Sequence, residues 1–332
     1  MTDGEEGLPL PWQEDAWRRL QAARRRDRLP HALLFHGPAG TGKNRFARLL
    51  ARSLLCEQAD EAGLPCGACR ACTLQDAGNH PDLREVMPLE DKQHIGVDQV
   101  RAIAEYLALK PQYGEVQCVL ITPAECLNEN AANSLLKTLE EPTPGACLIL
   151  VTARPALLAA TIRSRCQKFA FPVPPVDQAL PWLEARLRSG EDSRRLLNLA
   201  EGAPFAALAL AESGGVSWRL EMLAHLEQLM ERKADAPAVA EKWLKSGAKE
   251  SLYGLYTWIT ALIRLRMGGG GSPGDADPEV ARRLGSLARR MEVRTLFQRL
   301  DEAREALRLV ERQINAQLLL EDVLIAWQQS VE

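Results

Sequence analysis

Gly37 to Asn44 reads GPAGTGKN, a phosphate-binding loop complete at every position but the last. In the pattern G-x-x-x-x-G-K-[ST], the glycines let backbone N–H groups curl around phosphate oxygens, the lysine adds charge, and the terminal hydroxyl holds magnesium. Gly37, Gly40, Gly42 and Lys43 meet the first two demands, whereas Asn44 puts an amide where the hydroxyl belongs. Such a loop constrains the fold because it needs a strand before it and a helix after it. His31 to His36 (HALLFH) has the apolar character of a buried strand, and Phe46, Leu49, Leu50 and Leu54 recur at helical spacing after the loop. The helix then points its free N-terminal N–H groups at the anion. A glycine-rich turn that binds nothing is the weaker alternative.

An ATP-hydrolysing loop of this kind also needs a second strand ending in acidic side chains, to hold magnesium and orient the attacking water. The candidate strand is Gln117 to Ile121 (QCVLI), and it runs into Thr122 and Pro123, neither of which holds a metal or takes a proton. Glu125 follows just past the proline, where its carboxylate is expected several ångströms from the strand tip. The site reads as degenerate, with catalysis through Glu125 as the alternative.

Cys56, Cys66, Cys69 and Cys72, half of the eight cysteines, cluster as C-x9-C-x2-C-x2-C. Four thiolates at such gaps in a reducing compartment read as a closed, tetrahedral, structural zinc site, with Gly63, Pro65 and Gly67 supplying the tight turns. Buried free thiols are the alternative. Cys118, Cys126, Cys147 and Cys166 are scattered in apolar surroundings and read as packing residues.

At 332 residues the chain exceeds what one core usually supports. Its N-terminal half alternates strand-like and helical runs, including a helix around Asn130 to Glu140, the apolar run Ala146 to Thr152 and the short run QKFAF. That alternation predicts an α/β parallel sheet with helices on both faces. Pro172, Pro174 and Pro175 mark a boundary; Gln178 to Ser213 reads as a small helical domain, and the chain beyond Gly214 as all-helical. There Leu296, Leu300, Ala303, Leu307, Val310 and Ile314 form one apolar stripe on a long helix, and Gly268 to Pro278 is a flexible loop. Arg24, Arg25 and Arg26 read as a solvated helix face, with phosphate contact as the alternative. A net charge of −3 offers no overall basic field for nucleic acid. An acidic, proline-containing N-terminus and the lack of a run of ~20 apolar residues predict a cytoplasmic chain without a membrane span.

Together LPHALLFHGPAGTGKN, the four-cysteine insert, NHPDL (Asn79 to Leu83), NSLLKTLEEP (Asn133 to Pro142) and TIRSRC (Thr161 to Cys166) resemble the delta-prime family of bacterial DNA polymerase III clamp-loader subunits, AAA+ proteins. The resemblance covers roughly the first half of the chain; the remainder fits in size and helical character. It implies three domains: an AAA+ nucleotide-fold domain at 1–172 with a zinc module at 56–72, a small helical lid at 173–213, and a helical collar for oligomerisation at 214–332. It also implies a hetero-oligomeric ring with gamma/tau motor and delta subunits, acting in DNA replication through the sliding clamp and primer-template DNA. In such rings a Ser-Arg-Cys motif reaches a neighbour's ATP. Here that motif is Ser164, Arg165 and Cys166, with Arg165 the arginine finger in trans. A motor subunit is expected to keep the loop Ser/Thr, an Asp-Glu pair at Thr122 and Pro123, and an arginine where Phe205 stands. Three losses serving one reaction imply abandoned catalysis, while Lys43 leaves ATP or ADP binding open.

Three functions follow in order. The first is a non-hydrolysing ring subunit with no intrinsic catalysis, although part of the polymerase III holoenzyme. The second is an active ATPase motor subunit of the same loader. The last is a zinc-dependent nucleic-acid binder, disfavoured because Arg70 is the one basic residue between Cys66 and Cys72.

Overall fold

The computed structural model describes residues 7–90, 92–187, 192–212, 215–268, 278–310 and 314–330. They form two compact units, 1–186 with 203–206 and 187–202 with 207–332.

The first unit is built on five parallel strands: β1 (Ala32–His36), β2 (Leu83–Val86), β3 (Gln117–Ile121), β4 (Ala146–Thr152) and β5 (Gln167–Ala170). Their spatial order is β2-β3-β4-β1-β5. Helices cover both faces, so β3 and β4 are buried at every position, as central parallel strands must be. Alternation along the pleat divides the core. Ala32, Leu34, Val119, Ile121, Leu148 and Leu150 face α4 (Val97–Leu107), α5 (Glu129–Glu140) and α6 (Ala160–Arg165). Leu33, Phe35, Cys118, Leu120, Cys147, Ile149 and Val151 face α1 (Glu14–Arg25) and α2 (Lys43–Leu55). Each large side chain buried this way contributes about 1.5–3 kcal/mol. Phe35 is the hub of an aromatic cluster with Phe46, Phe169 and Phe171.

The apolar runs read from sequence form β1, β3, β4 and β5, and the α2 helix begins at Lys43. The short edge strand β2 and the helices α3 (Arg70–Asp76) and α4 carry weaker signals and were not anticipated. Cys118, Cys147 and Cys166 are buried, and Cys126 packs partly buried against the core.

After α7 (Val176–Glu184) come α8 (Ser193–Leu199) and α9 (Pro204–Glu212), and the second unit is helical throughout its described residues. Its core joins α10 (Gly215–Met230), α11 (Ala236–Lys245), α12 (Ala248–Arg266), α13 (Pro278–Arg289), α14 (Val293–Val310) and α15 (Ala316–Gln328) through Leu226, Trp243, Trp258, Leu284, Leu296 and Trp327. Of the predicted stripe, Leu296, Leu300, Ala303, Leu307 and Val310 lie on α14 against that core, whereas Ile314 is exposed and outside any helix; 311–313 lie outside the described residues. The predicted glycine-rich loop falls largely on 269–277, outside the described residues. No described helix is long and apolar enough to cross a membrane.

Candidate functional site

The phosphate loop links the carboxyl end of β1 to the N-terminus of α2, at the sheet edge where open α/β folds bind ligands. Gly37, Gly40 and Gly42 all have positive φ, and Gly42 is the N-cap of α2. A Cβ on Gly37 would run into the Phe171 carbonyl oxygen, so only glycine fits there. The loop borders a cleft of about 710 Å³, whose lining includes Lys43, Asn44, Thr122, Glu125 and Phe205.

Within this cleft the expected catalytic positions bond to one another. The Thr122 hydroxyl donates to the Asn44 side-chain carbonyl oxygen at 3.0 Å. Lys43 Nζ turns back and donates to the Pro38 carbonyl at 2.5 Å. Burial pulls the Lys43 pKa down to about 8, and the charge of Glu125 opposes that shift. Burial first, and then the positive charges of Lys168 and Lys43, also hold His36 below the ordinary imidazole value.

Glu125, on a short 3-10 turn over Ala124–Cys126, is among the residues that line the cleft. Its side chain is only 4% exposed; Oε1 accepts from the Ala153 N–H at 3.2 Å and lies 3.7 Å from Arg154 Nε. Oε2 is buried without a hydrogen-bond partner, a costly state for a carboxylate oxygen.

An aromatic cap lies over the loop. Trp12 Nε1 and Gln13 Nε2 both donate to the Thr41 carbonyl, at 3.0 and 3.3 Å. The Phe205 N–H donates to the Gly40 carbonyl at 3.0 Å. Trp182 joins the two flanks, edge-on to Trp12 at 5.6 Å and tilted against Phe205 at 4.7 Å. Sequence reasoning singled out Phe205 but not Trp12, Gln13 or Trp182, which no local pattern ties to a loop up to 145 positions away.

The four cysteines of the insert converge. Their sulfurs all lie within 4.8 Å of one another, with Cys56 3.6 Å from Cys66 and 3.9 Å from Cys69. Zinc bound tetrahedrally at about 2.3 Å to each sulfur separates neighbouring sulfurs by about 3.8 Å, so the set fits such an ion. Cys69 caps α3 by accepting from the Cys72 N–H. Backbone N–H groups of Ala68 and Cys69 pull the Cys66 thiol down to about 6, whereas burial raises the thiols of Cys56 and Cys72.

Arg165 ends α6 and lies apart from these two groups. It pairs with Glu140 at 2.5 Å and donates to the Thr161 carbonyl at 3.1 Å. The Ser164 hydroxyl also donates to Thr161, and Cys166 is the buried C-cap residue. Of the arginine run near the N-terminus, Arg25 and Arg26 are exposed, as expected of a solvated face, with Arg25 donating to the Glu61 carbonyl, whereas Arg24 is partly buried against Ser53.

A family model described as DNA polymerase III, delta subunit, matches residues 12–175, and its C-terminal counterpart matches 214–329. A Pseudomonas aeruginosa protein named DNA polymerase III subunit delta' is 34% identical over 96% of this chain and 96% of its own length. The chain belongs to the delta-prime family of DNA polymerase III subunits. A Yersinia pestis delta-prime subunit is 31% identical over 96% of this chain and 95% of its own. Similarity also extends to DNA polymerase III subunit tau of Bacillus subtilis, 33% identical over 73% of this chain and 40% of that one. The delta-prime family thus shares sequence with a subunit of another type, and the cleft chemistry bears on which role this member plays. Strand order β5-β1-β4-β3-β2 with the phosphate loop after β1 agrees with the AAA+ fold expected of this delta-prime protein.

Proposed function

We propose that this delta-prime protein is a non-hydrolysing subunit of the DNA polymerase III clamp loader. It assembles beside gamma/tau and delta subunits in the cytoplasm, and through that complex serves the sliding clamp and primer-template DNA. The observation that carries the reading is the Thr122–Asn44 hydrogen bond. The two positions that would hold magnesium satisfy each other, and neither brings a carboxylate or a free hydroxyl to a metal. Lys43 and the three loop glycines remain able to take a phosphate when the Pro38 bond opens.

In this reading the chain divides at 172 and 213 into nucleotide-fold, lid and collar parts. Arg165 leaves Glu140 and reaches a neighbour's ATP, where a planar, always-charged guanidinium suits the charge developing on the γ-phosphate. Cys56, Cys66, Cys69 and Cys72 hold one structural zinc, and four thiolates leave no position open for substrate.

The deciding experiment is the nucleotide content of the purified chain together with its ATP turnover. Turnover at background supports the proposal, and turnover that disappears in Lys43→Ala refutes it. An ATPase reading draws on one observation, the buried, half-satisfied Glu125 in the cleft. It requires that Glu125→Gln abolish a measurable wild-type rate.

A further inference from the structure

The geometry points to Arg24, on a helix outside the cysteine loop, as the charge partner of the four-thiolate centre. The inference rests on the zinc reading and adds to it a residue that none of the metal-ligand spacing contains.

A zinc ion held by four thiolates carries a net charge of about −2, and partial burial of such a centre is favourable only if that charge is offset. Part of the offset comes from backbone N–H groups. Gln58 and Cys66 donate to Cys56 Sγ at 3.4 and 3.3 Å, Cys69 to Cys66 Sγ at 3.3 Å, and Cys72 to Cys69 Sγ at 3.4 Å. None of these brings a full positive charge. The one basic side chain inside the loop, Arg70, is turned away onto the Tyr113 ring, 5.0 Å from its centroid. Arg52, one turn before Cys56 on α2, is paired with Asp76, so a cation is sought on another element.

Helix α1 supplies it. Trp17, Gln21, Arg24 and Arg25 follow the i, i+4, i+7, i+8 spacing of one helix face, and all four bond to the insert or to the turn of α2 that leads into it. Trp17 Nε1 donates to the Ala62 carbonyl at 2.9 Å, Gln21 Nε2 to Ser53 Oγ at 3.2 Å, and Arg25 to the Glu61 carbonyl at 2.9 Å. Arg24 Nη1 donates to both the carbonyl and the hydroxyl of Ser53, each at 3.0 Å. The buried Ser53 hydroxyl in turn donates to the Gly63 carbonyl, so one side chain fixes the guanidinium and the insert loop together. Ser53 lies in the last turn of α2, three residues before Cys56, where the negative end of the helix dipole also favours a cation. Burial lowers the Arg24 pKa, and negative charge on Cys56 and then on Cys118 opposes that shift.

The test uses the full-length zinc-loaded protein and three variants, Arg24→Gln, Arg24→Met and Arg24→Lys. Metal analysis, the rate of zinc transfer to a chelator at fixed neutral pH and fixed salt, and the absorption of the cobalt-substituted proteins are measured. The two uncharged variants are expected to lose zinc about 10-fold faster than wild type, the low end for outer partners of a metal site. Arg24→Lys is expected within about threefold of wild type, because charge is retained at the cost of the fork. The cobalt spectra should keep their four-thiolate pattern in all variants, which separates charge compensation from loss of a ligand. Arg24→Met retains the apolar stem and so guards against a packing failure in Arg24→Gln. Wild-type release rates in both uncharged variants would overturn the inference, and so would equal acceleration in Arg24→Lys. If wild-type protein itself holds no metal, the zinc reading fails instead, and the two failures are told apart by the wild-type metal content.

Discussion

Thr122 Oγ1 donates to Asn44 Oδ1 across 3.0 Å, joining the end of β3 to the first turn of α2. In an active loop these two positions face each other across a magnesium ion; here a neutral hydrogen bond spans the gap. Asn44→Thr alone is therefore expected to leave ATP turnover at background, because a hydroxyl is restored and no carboxylate is. Steady turnover by wild type or by Asn44→Thr, measured as released phosphate, would remove the basis of the non-hydrolysing assignment.

Lys43 makes stability depend on pH in a defined direction. Its native pKa is pulled down to about 8, whereas an unfolded lysine titrates near ~10.4. Between about pH 8 and about pH 10 the unfolded chain binds more protons, so stability gains from this group as pH rises, and the full cost of a buried charge applies below pH 8. Lys43→Met removes that cost. Urea denaturation of both proteins should show the variant's advantage shrinking by roughly 1–3 kcal/mol between about pH 7 and about pH 10. An offset that stays constant with pH would contradict the assignment.

Arg165 and Glu140 should separate a role within the chain from a role toward a neighbour. Their ion pair is partly exposed, and pairs of that kind contribute up to ~1 kcal/mol. Arg165→Ala is thus expected to melt close to wild type with its metal content unchanged. In the reconstituted ring it should depress DNA-stimulated ATPase and clamp loading, since a finger in trans is worth on the order of 10³ to 10⁵ at its own site. A ring with several sites loses only that share. Glu140→Gln breaks the same pair and keeps the guanidinium, so it should retain ring activity. Equal damage from both variants would identify the ion pair, and not a trans contact, as the working unit.

Gly37 tests the packing of the loop against β5. It has φ +144°, and an added Cβ would overlap the Phe171 carbonyl oxygen, far inside van der Waals contact. Gly37→Ala should cost about 2–4 kcal/mol, in the range of mutations that combine backbone strain with overpacking. A loss below about 0.5 kcal/mol in chemical denaturation would show that the loop relaxes more freely than this contact allows.

Much of the site was legible because its information is local. Strand, glycine loop and helix lie within 25 consecutive residues, the missing hydroxyl and carboxylates are single letters next to recognisable runs, and C-x2-C-x2-C needs only a turn to converge. The apolar periods also forecast a two-sided parallel sheet and a helical second half. Periodicity specifies which face of an element is buried and is silent on what buries it. For that reason Arg24 read as solvated until packing set it against Ser53, 29 positions away. Ile314 shares the period of the α14 stripe yet is exposed outside any helix, because a matching period does not say which of its members pack. The Trp12–Trp182–Phe205 cap and the Arg165–Glu140 pair likewise join residues with no common sequence pattern. The sequence by itself determined the glycine loop, the letters Asn44, Thr122 and Pro123 that depart from a motor subunit's pattern, and the family. Tertiary packing alone decided which charges, hydroxyls and aromatic rings meet across the elements those motifs create.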